Sequence, residues 1–296
     1  MSSPDAAFDG HSSVHALQCM EIWGGNRAID TAASTPGLDI WVYSRPHEGQ
    51  TGGGDVHYVS MCSAGKIARL AVADVSGHGA SVADLGAKLR DLMRMHINTV
   101  DQTKFARSLN RHFTVETERG GGGGKFATAI LATYFSPEKA LIVVNAGHPR
   151  PFWYHAGEGR WTVLDSGGDG TASSLGGLPL GIIEPTEYAQ FAVRLGVGDL
   201  VLIYTDSLPE ARRGGEPGGE LLGEEGLMGM LSTLNPSDPS RLIHALLEEV
   251  RRFAGGRMPD DDATVVLLHH NGADPPRYTL GEKLSAIGKL MGIGKV

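Results

Sequence analysis

The sequence predicts an α+β sandwich folded as a single domain, and three observations carry that prediction. Strand-like runs outnumber helical ones, they follow one another as hairpins in the manner of antiparallel sheet, and helical periodicity is confined to a few stretches between them. Taken in order, residues 1–18 are small and polar and read as a mobile leader, with folded structure expected from near Cys19. Runs 38–44, 55–62 and 66–73 read as strands, the last two joined into a hairpin by Ser63-Ala64-Gly65. That pairing puts Asp55 near Asp74 at the hairpin's open end. After Gly79 the period changes from two to 3.6: Val82, Leu85, Leu89, Leu92, Met93 and His96 share one face of a helix of about five turns. Asp101 is placed to cap a second helix, whose buried stripe is Phe105, Leu109, His112 and Phe113. The glycine run 120–124 reads as a flexible break; without a following Lys-Ser/Thr it lacks the signature of a phosphate loop.

Strands 125–135 and 140–145 flank Ser136-Pro137-Glu138, and strands 151–155 and 160–164 flank a glycine-containing turn. Residues 165–187, rich in Gly and Ser, form a long surface loop, followed by strands 188–195 and 200–205. Residues 212–223 read as a second flexible insertion. Asp238-Pro239 supplies an N-cap and N1 pair for a helix carrying Leu242, Ala245, Leu246, Val250 and Phe253. Strand 263–269 leaves directly from Asp260-Asp261-Asp262. In the tail 272–296, Thr279 and Glu282 form a capping-box pattern ahead of a short amphipathic helix with Lys283, Lys289 and Lys295. That helix is expected to dock on its own domain.

Composition excludes several classes. At 296 residues and 41% hydrophobic, the chain can build a sizeable core. A formal charge of −8 argues against a general nucleic-acid surface. Cys19 and Cys62 have neither disulfide-framework nor thiolate-zinc spacing, so a reducing cytoplasm is expected. The first residues lack the basic and apolar regions of a signal peptide, and no run of eighteen apolar residues occurs, so neither export nor membrane spanning is expected.

Chemistry concentrates on four aspartates, Asp55, Asp74, Asp206 and Asp261, each at the junction of an apolar run and a turn. Hard oxygen ligands brought to one point suit Mg²⁺ or Mn²⁺, which makes a metal-dependent hydrolase the leading hypothesis. Asp74 follows the apolar run 70–73, and Gly77 and Gly79 allow the backbone to turn sharply beyond it. It lies too far upstream to cap the helix that begins near Ala80. Asp206 ends the run 200–205, where an Asx turn would also explain it. The Asp260–Asp262 triplet reads as a solvated loop when taken alone; adjacent carboxylates repel unless a cation neutralises them.

Together these segments resemble the metal-dependent serine/threonine protein phosphatases of the type-2C superfamily, most closely the bacterial SpoIIE/RsbU-type branch. The resemblance covers roughly residues 38–270: GGD at 53–55, DVSGHG at 74–79, FATAILATY at 126–134, NAGHP at 145–149, GGLPLGI at 176–182, YTDSLPEA at 204–211 and DDATVVLL at 261–268. One such motif is weak evidence, whereas seven in order are specific. The resemblance implies a four-layer α-β-β-α sandwich, two antiparallel sheets flanked by helices, over a phosphatase domain spanning 19–271. It also implies two Mn²⁺ or Mg²⁺ ions at one end. Carried over, Asp74 bridges the ions, Asp206 and Asp261 complete one of them, and the Val75 carbonyl serves the other together with Asp55, directly or through water. The implied reaction is hydrolysis of phosphoserine or phosphothreonine by direct attack of a metal-activated water. Its usual substrate in this branch is a small anti-sigma-factor antagonist. An upstream regulator is expected to act through the helix pair that follows Asp74.

Departures from the pattern are small. Ser207 stands where the family often has Gly, and Val56-His57-Tyr58 replaces the aromatic and acidic residues frequent after GGD. His57 reads as cross-strand packing, with a place at the edge of the site as the alternative, His148 as a turn anchor, and His78 either as explained by its turn or as an acid or extra ligand beside the ions. The alternatives are a catalytically silent docking platform on the same sandwich and an enzyme for small phosphate esters.

Overall fold

Two sheets stack face to face, and each carries a pair of helices on its outer side. The computed structural model describes residues 15–17, 22–47, 50–62, 65–77, 79–97, 99, 101–119, 124–165 and 177–274. The strands are β1 (His15–Ala16), β2 (Ile22–Gly25), β3 (Ile29–Thr35), β4 (Leu38–Arg45), β5 (Val56–Cys62), β6 (Ile67–Val75), β7 (Ala127–Phe135), β8 (Ala140–Ala146), β9 (Phe152–His155), β10 (Arg160–Val163), β11 (Gln190–Arg194), β12 (Leu200–Tyr204) and β13 (Ala263–His269). The helices are α1 (Ala80–His96), α2 (Gln102–Arg119), α3 (Gly223–Thr233) and α4 (Pro239–Phe253). One sheet runs β1-β3-β4-β13-β12-β9-β10 and the other β11-β8-β7-β6-β5-β2. Every neighbouring pair is antiparallel except β1 with β3.

Three apolar layers hold the sandwich. Val59, Leu70 and Val72 meet Ile40, Val42, Ile203 and Val266 between the sheets. Leu89, Met93, Phe105, Leu109 and Phe113 seal α1 and α2 onto Val56, Tyr58 and Leu131. Leu227, Leu231, Leu246 and Val250 seal α3 and α4 onto Leu202, Val265 and Leu267. A central strand such as β13 is therefore buried on both faces, Val266 and Leu268 inward and Val265 and Leu267 towards the helices. This is why it reads as an unbroken apolar run instead of an alternating one. Asp101 caps α2 as its sequence predicts, its carboxylate accepting the Thr103 and Lys104 N–H groups at 2.9 and 3.2 Å.

The structure departs from the sequence reading in five places. His15–Ala16 pairs with β3 and Leu17 is buried between the sheets, so the ordered sheet reaches into the stretch read as leader. β2 and β3 were not expected; β3, with the sequence IDTAAST, is built from small residues that give little apolar periodicity. Residues 212–223 are not an open insertion. Arg212 bridges to Leu221, the Arg213 N–H donates to the Glu220 carbonyl at 2.9 Å, and α3 begins at their end. α3 escapes periodicity because three glycines, 223, 226 and 229, dilute it; Leu227 and Leu231 bury one stripe, and Glu224 and Glu225 suit its N-terminal turn. Asp238 occupies the N-cap of α4 but accepts the Ser240 hydroxyl at 2.5 Å instead of a backbone N–H. The tail helix expected after Pro276, the glycines 120–123, the turn residues 63–64, Cys19 and His78 lie outside the described residues. Among the described residues no helix is long and apolar enough to cross a membrane.

Candidate metal centre

The topology brings four strand ends to one end of the sandwich. Val56 pairs with Ala73, so the start of β5 lies beside the end of β6, and Asp55 comes near Asp74. In the opposite sheet Tyr204 pairs with Val265, which sets the end of β12 beside the start of β13 and Asp206 near the 260–262 triplet. Each sheet thus contributes one carboxylate pair. Two hydrogen-bond clasps tie the pairs across the sandwich. The Thr205 hydroxyl accepts the Thr264 N–H at 2.9 Å and donates to Asp55 Oδ2 at 2.9 Å. The Asp262 carboxylate accepts the His47 N–H at 2.5 Å and the Gly54 N–H at 2.6 Å.

The glycines before Asp55 are required by close approach. A Cβ on Gly53 would meet the Asp262 carboxylate at 2.4 Å, and one on Gly54 would meet the Val75 carbonyl at 2.8 Å. Only bare backbone passes between Asp262 and Val75. The acidic triplet consequently splits three ways. Asp262 is buried and structural, Asp261 is exposed and accepts the Asp262 N–H at 2.8 Å, and Asp260 is exposed with His47 Nδ1 at 3.4 Å.

Burial dominates the electrostatics, and mutual repulsion adds to it. Burial pushes the Asp74 carboxyl up to about 8, helped by the charges of Asp206, Asp261, Asp262 and Glu210. Asp206 rises to about 6 through burial, then Glu210 and Asp261. Burial and the charge of Asp74 hold Asp55 well above the ordinary carboxylate range, against the Thr205 hydrogen bond that favours its charged form. Packing this many carboxylates together out of water is costly unless a cation compensates them.

The donor set fits a hard divalent cation, since Asp55, Asp74, Asp206 and Asp261 offer carboxylate oxygens and the Val75 backbone adds a carbonyl. Among the described residues, no three His, Cys, Asp or Glu side chains already stand arranged to hold an ion. Asp55, Asp74, Asp206 and Asp261 share one electrostatic site, with Val75 buried at its floor. His57 is buried within β5, in keeping with a packing role. His148 does fix its turn, its N–H donating to Asn145 Oδ1 at 2.8 Å while Asn145 Nδ2 donates to its carbonyl at 2.9 Å. Its ring also meets the Thr128 hydroxyl at 2.9 Å, and Thr128 is the cross-strand partner of Asp74.

Three contributors escaped sequence reasoning. Glu210 acts one helical-type turn after Asp206, its N–H donating to the Asp206 carbonyl at 2.9 Å. Lys125 Nζ donates to the Ser76 carbonyl at 2.9 Å, two residues beyond Asp74. Thr205 carries the clasp to Asp55. Only Thr205 left a signal, as a polar residue closing an otherwise apolar strand.

Comparison with known proteins places this geometry. A family model described as stage II sporulation protein E (SpoIIE) matches residues 64–271. Phosphoserine phosphatase RsbU of Bacillus subtilis (strain 168) is 24% identical over 231 residues, covering 78% of this chain and 63% of that protein. The chain therefore spans about 63% of the length of the curated relative it matches. Among solved structures, the RsbU and RsbW domains of a Mycobacterium tuberculosis protein superpose with a TM-score of 0.63 at 22% identity, over 90% of this chain and 70% of that one. The PP2C phosphatase domain of SpoIIE from Bacillus subtilis, with a fragment of its regulatory domain, gives 0.61 at 18% identity, over 86% and 64%. The four-layer sandwich is the PP2C phosphatase fold.

Proposed function

The chain belongs to the SpoIIE family, and from that premise we propose that it is a metal-dependent protein serine/threonine phosphatase acting on a small anti-sigma-factor antagonist in the cytoplasm. The observation that carries the reading is the buried acidic site in which burial, with neighbouring carboxylates behind it, raises Asp74 to about 8 and Asp206 to about 6. A pair of Mn²⁺ or Mg²⁺ ions there would supply charge balance, a lowered water pKa and stabilisation of phosphoryl oxygens. Asp74, Asp206 and Asp261 would hold the ions, with Asp55 and the Val75 carbonyl completing the set. Thr205 and Asp262 are positioning residues: the first fixes the Asp55 carboxylate, the second the glycine backbone in front of it. Lys125, anchored at the Ser76 carbonyl, offers a cation for a phosphate ester approaching that end.

A protein substrate is favoured over a small ester by the loop 177–187. It bridges to the sheet through Leu180 and Ala127, the cross-strand partner of Val75, while Leu178, Ile182 and Ile183 stand 46%, 46% and 53% exposed. Apolar side chains held in solvent next to the acidic end suit a macromolecular partner. The test is turnover of p-nitrophenyl phosphate and of a phosphoserine protein across a Mn²⁺ titration. Mn²⁺-dependent release of phosphate that Asp206→Asn abolishes is expected. Absence of turnover at every Mn²⁺ concentration would leave the sandwich as a docking platform only.

A further inference from the structure

A cavity of about 450 Å³ opens at the β2 edge of the sandwich and is lined by Trp23, Gly25, Asn26, Arg27, His57 and Arg90 among others. Its volume lies within the range of small-molecule sites, about 300–1,000 Å³. Its chemistry is graded. Arg27 is exposed at the mouth and has no ion-pair partner among the described residues. Arg90, on α1, turns its guanidinium onto Asp91 at 2.7 and 3.1 Å, an exposed contact between chain neighbours that an incoming anion can replace. Within the cavity, His57 is only 3% exposed and its Nδ1 has no hydrogen-bond partner, an arrangement that costs free energy unless something completes it. Trp23 contributes indole surface. Gly25 lies beside the imidazole, where a Cβ would sit 3.9 Å from both His57 Cε1 and the Arg27 amide nitrogen.

We infer that this cavity binds a mononucleotide-like anion, with the phosphate at Arg27 and Arg90 and the ring beside Trp23. A guanidinium pair suits a phosphate, and indole surface suits a planar base. The site is joined to the acidic end through Asn26. Asn26 Nδ2 donates to the carbonyls of Gly53 at 3.0 Å and Ala83 at 2.8 Å, and its own carbonyl accepts the Gly53 N–H at 2.8 Å. A ligand seated against Asn26 therefore braces the backbone that leads into Asp55. The inference goes beyond the phosphatase reading and stands without it.

Calorimetric titration of the full chain in EDTA, with AMP, adenosine and inorganic phosphate as separate probes, tests it. One AMP per chain is expected to bind with submillimolar affinity, and adenosine and phosphate about tenfold more weakly or worse. Arg27→Ala should weaken AMP about tenfold, and Gly25→Val, which suits a strand and fills the opening, should abolish it without lowering the melting temperature. Amide exchange at residues 53–55 should slow when AMP is bound. Asp206→Asn should leave AMP binding unchanged, so a failed phosphatase assay and a failed binding site are distinguishable. No AMP binding at millimolar concentration overturns the inference, as does AMP binding that survives both Arg27→Ala and Gly25→Val. Equal affinities for AMP and phosphate would remove the ring from it.

Discussion

Asp262→Ala tests whether a single carboxylate holds the acidic end together. In the native chain that carboxylate accepts two backbone N–H groups, from His47 and Gly54, at 2.5 and 2.6 Å, and it is 6% exposed. Hydrogen bonds to a charged acceptor contribute about 1.5–3 kcal/mol each, so losing both costs about 3–6 kcal/mol. Removing Asp262 also relieves Asp55 and Asp74 of a like charge, which offsets part of that loss. A net destabilisation of about 2–4 kcal/mol is expected, a large share of a typical domain's stability. Asp262→Asn keeps one acceptor and turns an amide NH₂ towards the other donor, so it should fall between wild type and alanine. The measurement is urea unfolding in EDTA at constant m-value. Gly53→Ala provides an internal check, because its Cβ would intrude on the same carboxylate at 2.4 Å. Once Asp262 is alanine that collision is gone, so the double variant should cost less than the sum of the singles. A loss below about 1 kcal/mol for Asp262→Ala, or strict additivity with Gly53→Ala, would show that Asp262 does not clasp the glycine segment.

Other consequences follow from the same geometry. Asp74 and Asp206 have folded-state values raised from 3.8 to about 8 and about 6, so the metal-free fold binds more protons than the unfolded chain between those limits. Its stability should fall as pH rises from about 4 to about 8, and Asp74→Asn should flatten that slope in melting curves recorded with EDTA. Asp206→Asn is expected to lower Mn²⁺-dependent turnover at least about a hundredfold while leaving the metal-free protein as stable or more so, read by phosphate release and calorimetry. Thr205→Val removes both the donor to Asp55 and the acceptor of the Thr264 N–H, and should cost about 1–3 kcal/mol in chemical unfolding.

Legibility followed the range of the interactions involved. The hairpin bringing Asp55 to Asp74, both long helices and the Asp101 cap are set by residues close in sequence, so apolar period and turn chemistry revealed them. Strand β13 was legible for another reason, since burial on both faces turned it into a continuous apolar run. β3 and α3 were hidden because small residues and glycines erase period even where packing enforces the element. Motif order identified the acidic site, but its organisation depends on contacts across very long separations. Asp262 reaches Gly54 over 208 positions and His47 over 215, and Thr205 reaches Asp55 over 150. No local pattern distinguishes the buried Asp262 in Asp260-Asp261-Asp262 from its exposed neighbours. What selects Asp262 is the absence of side chains at Gly53 and Gly54, which lets a backbone N–H come within bonding distance of it. The β2-edge cavity has the same origin: Gly25 leaves the opening, and His57, read from sequence as packing, lines the cavity behind it. In both places the decisive feature is an atom the sequence omits, and such an omission acquires meaning only when a distant strand is laid beside it.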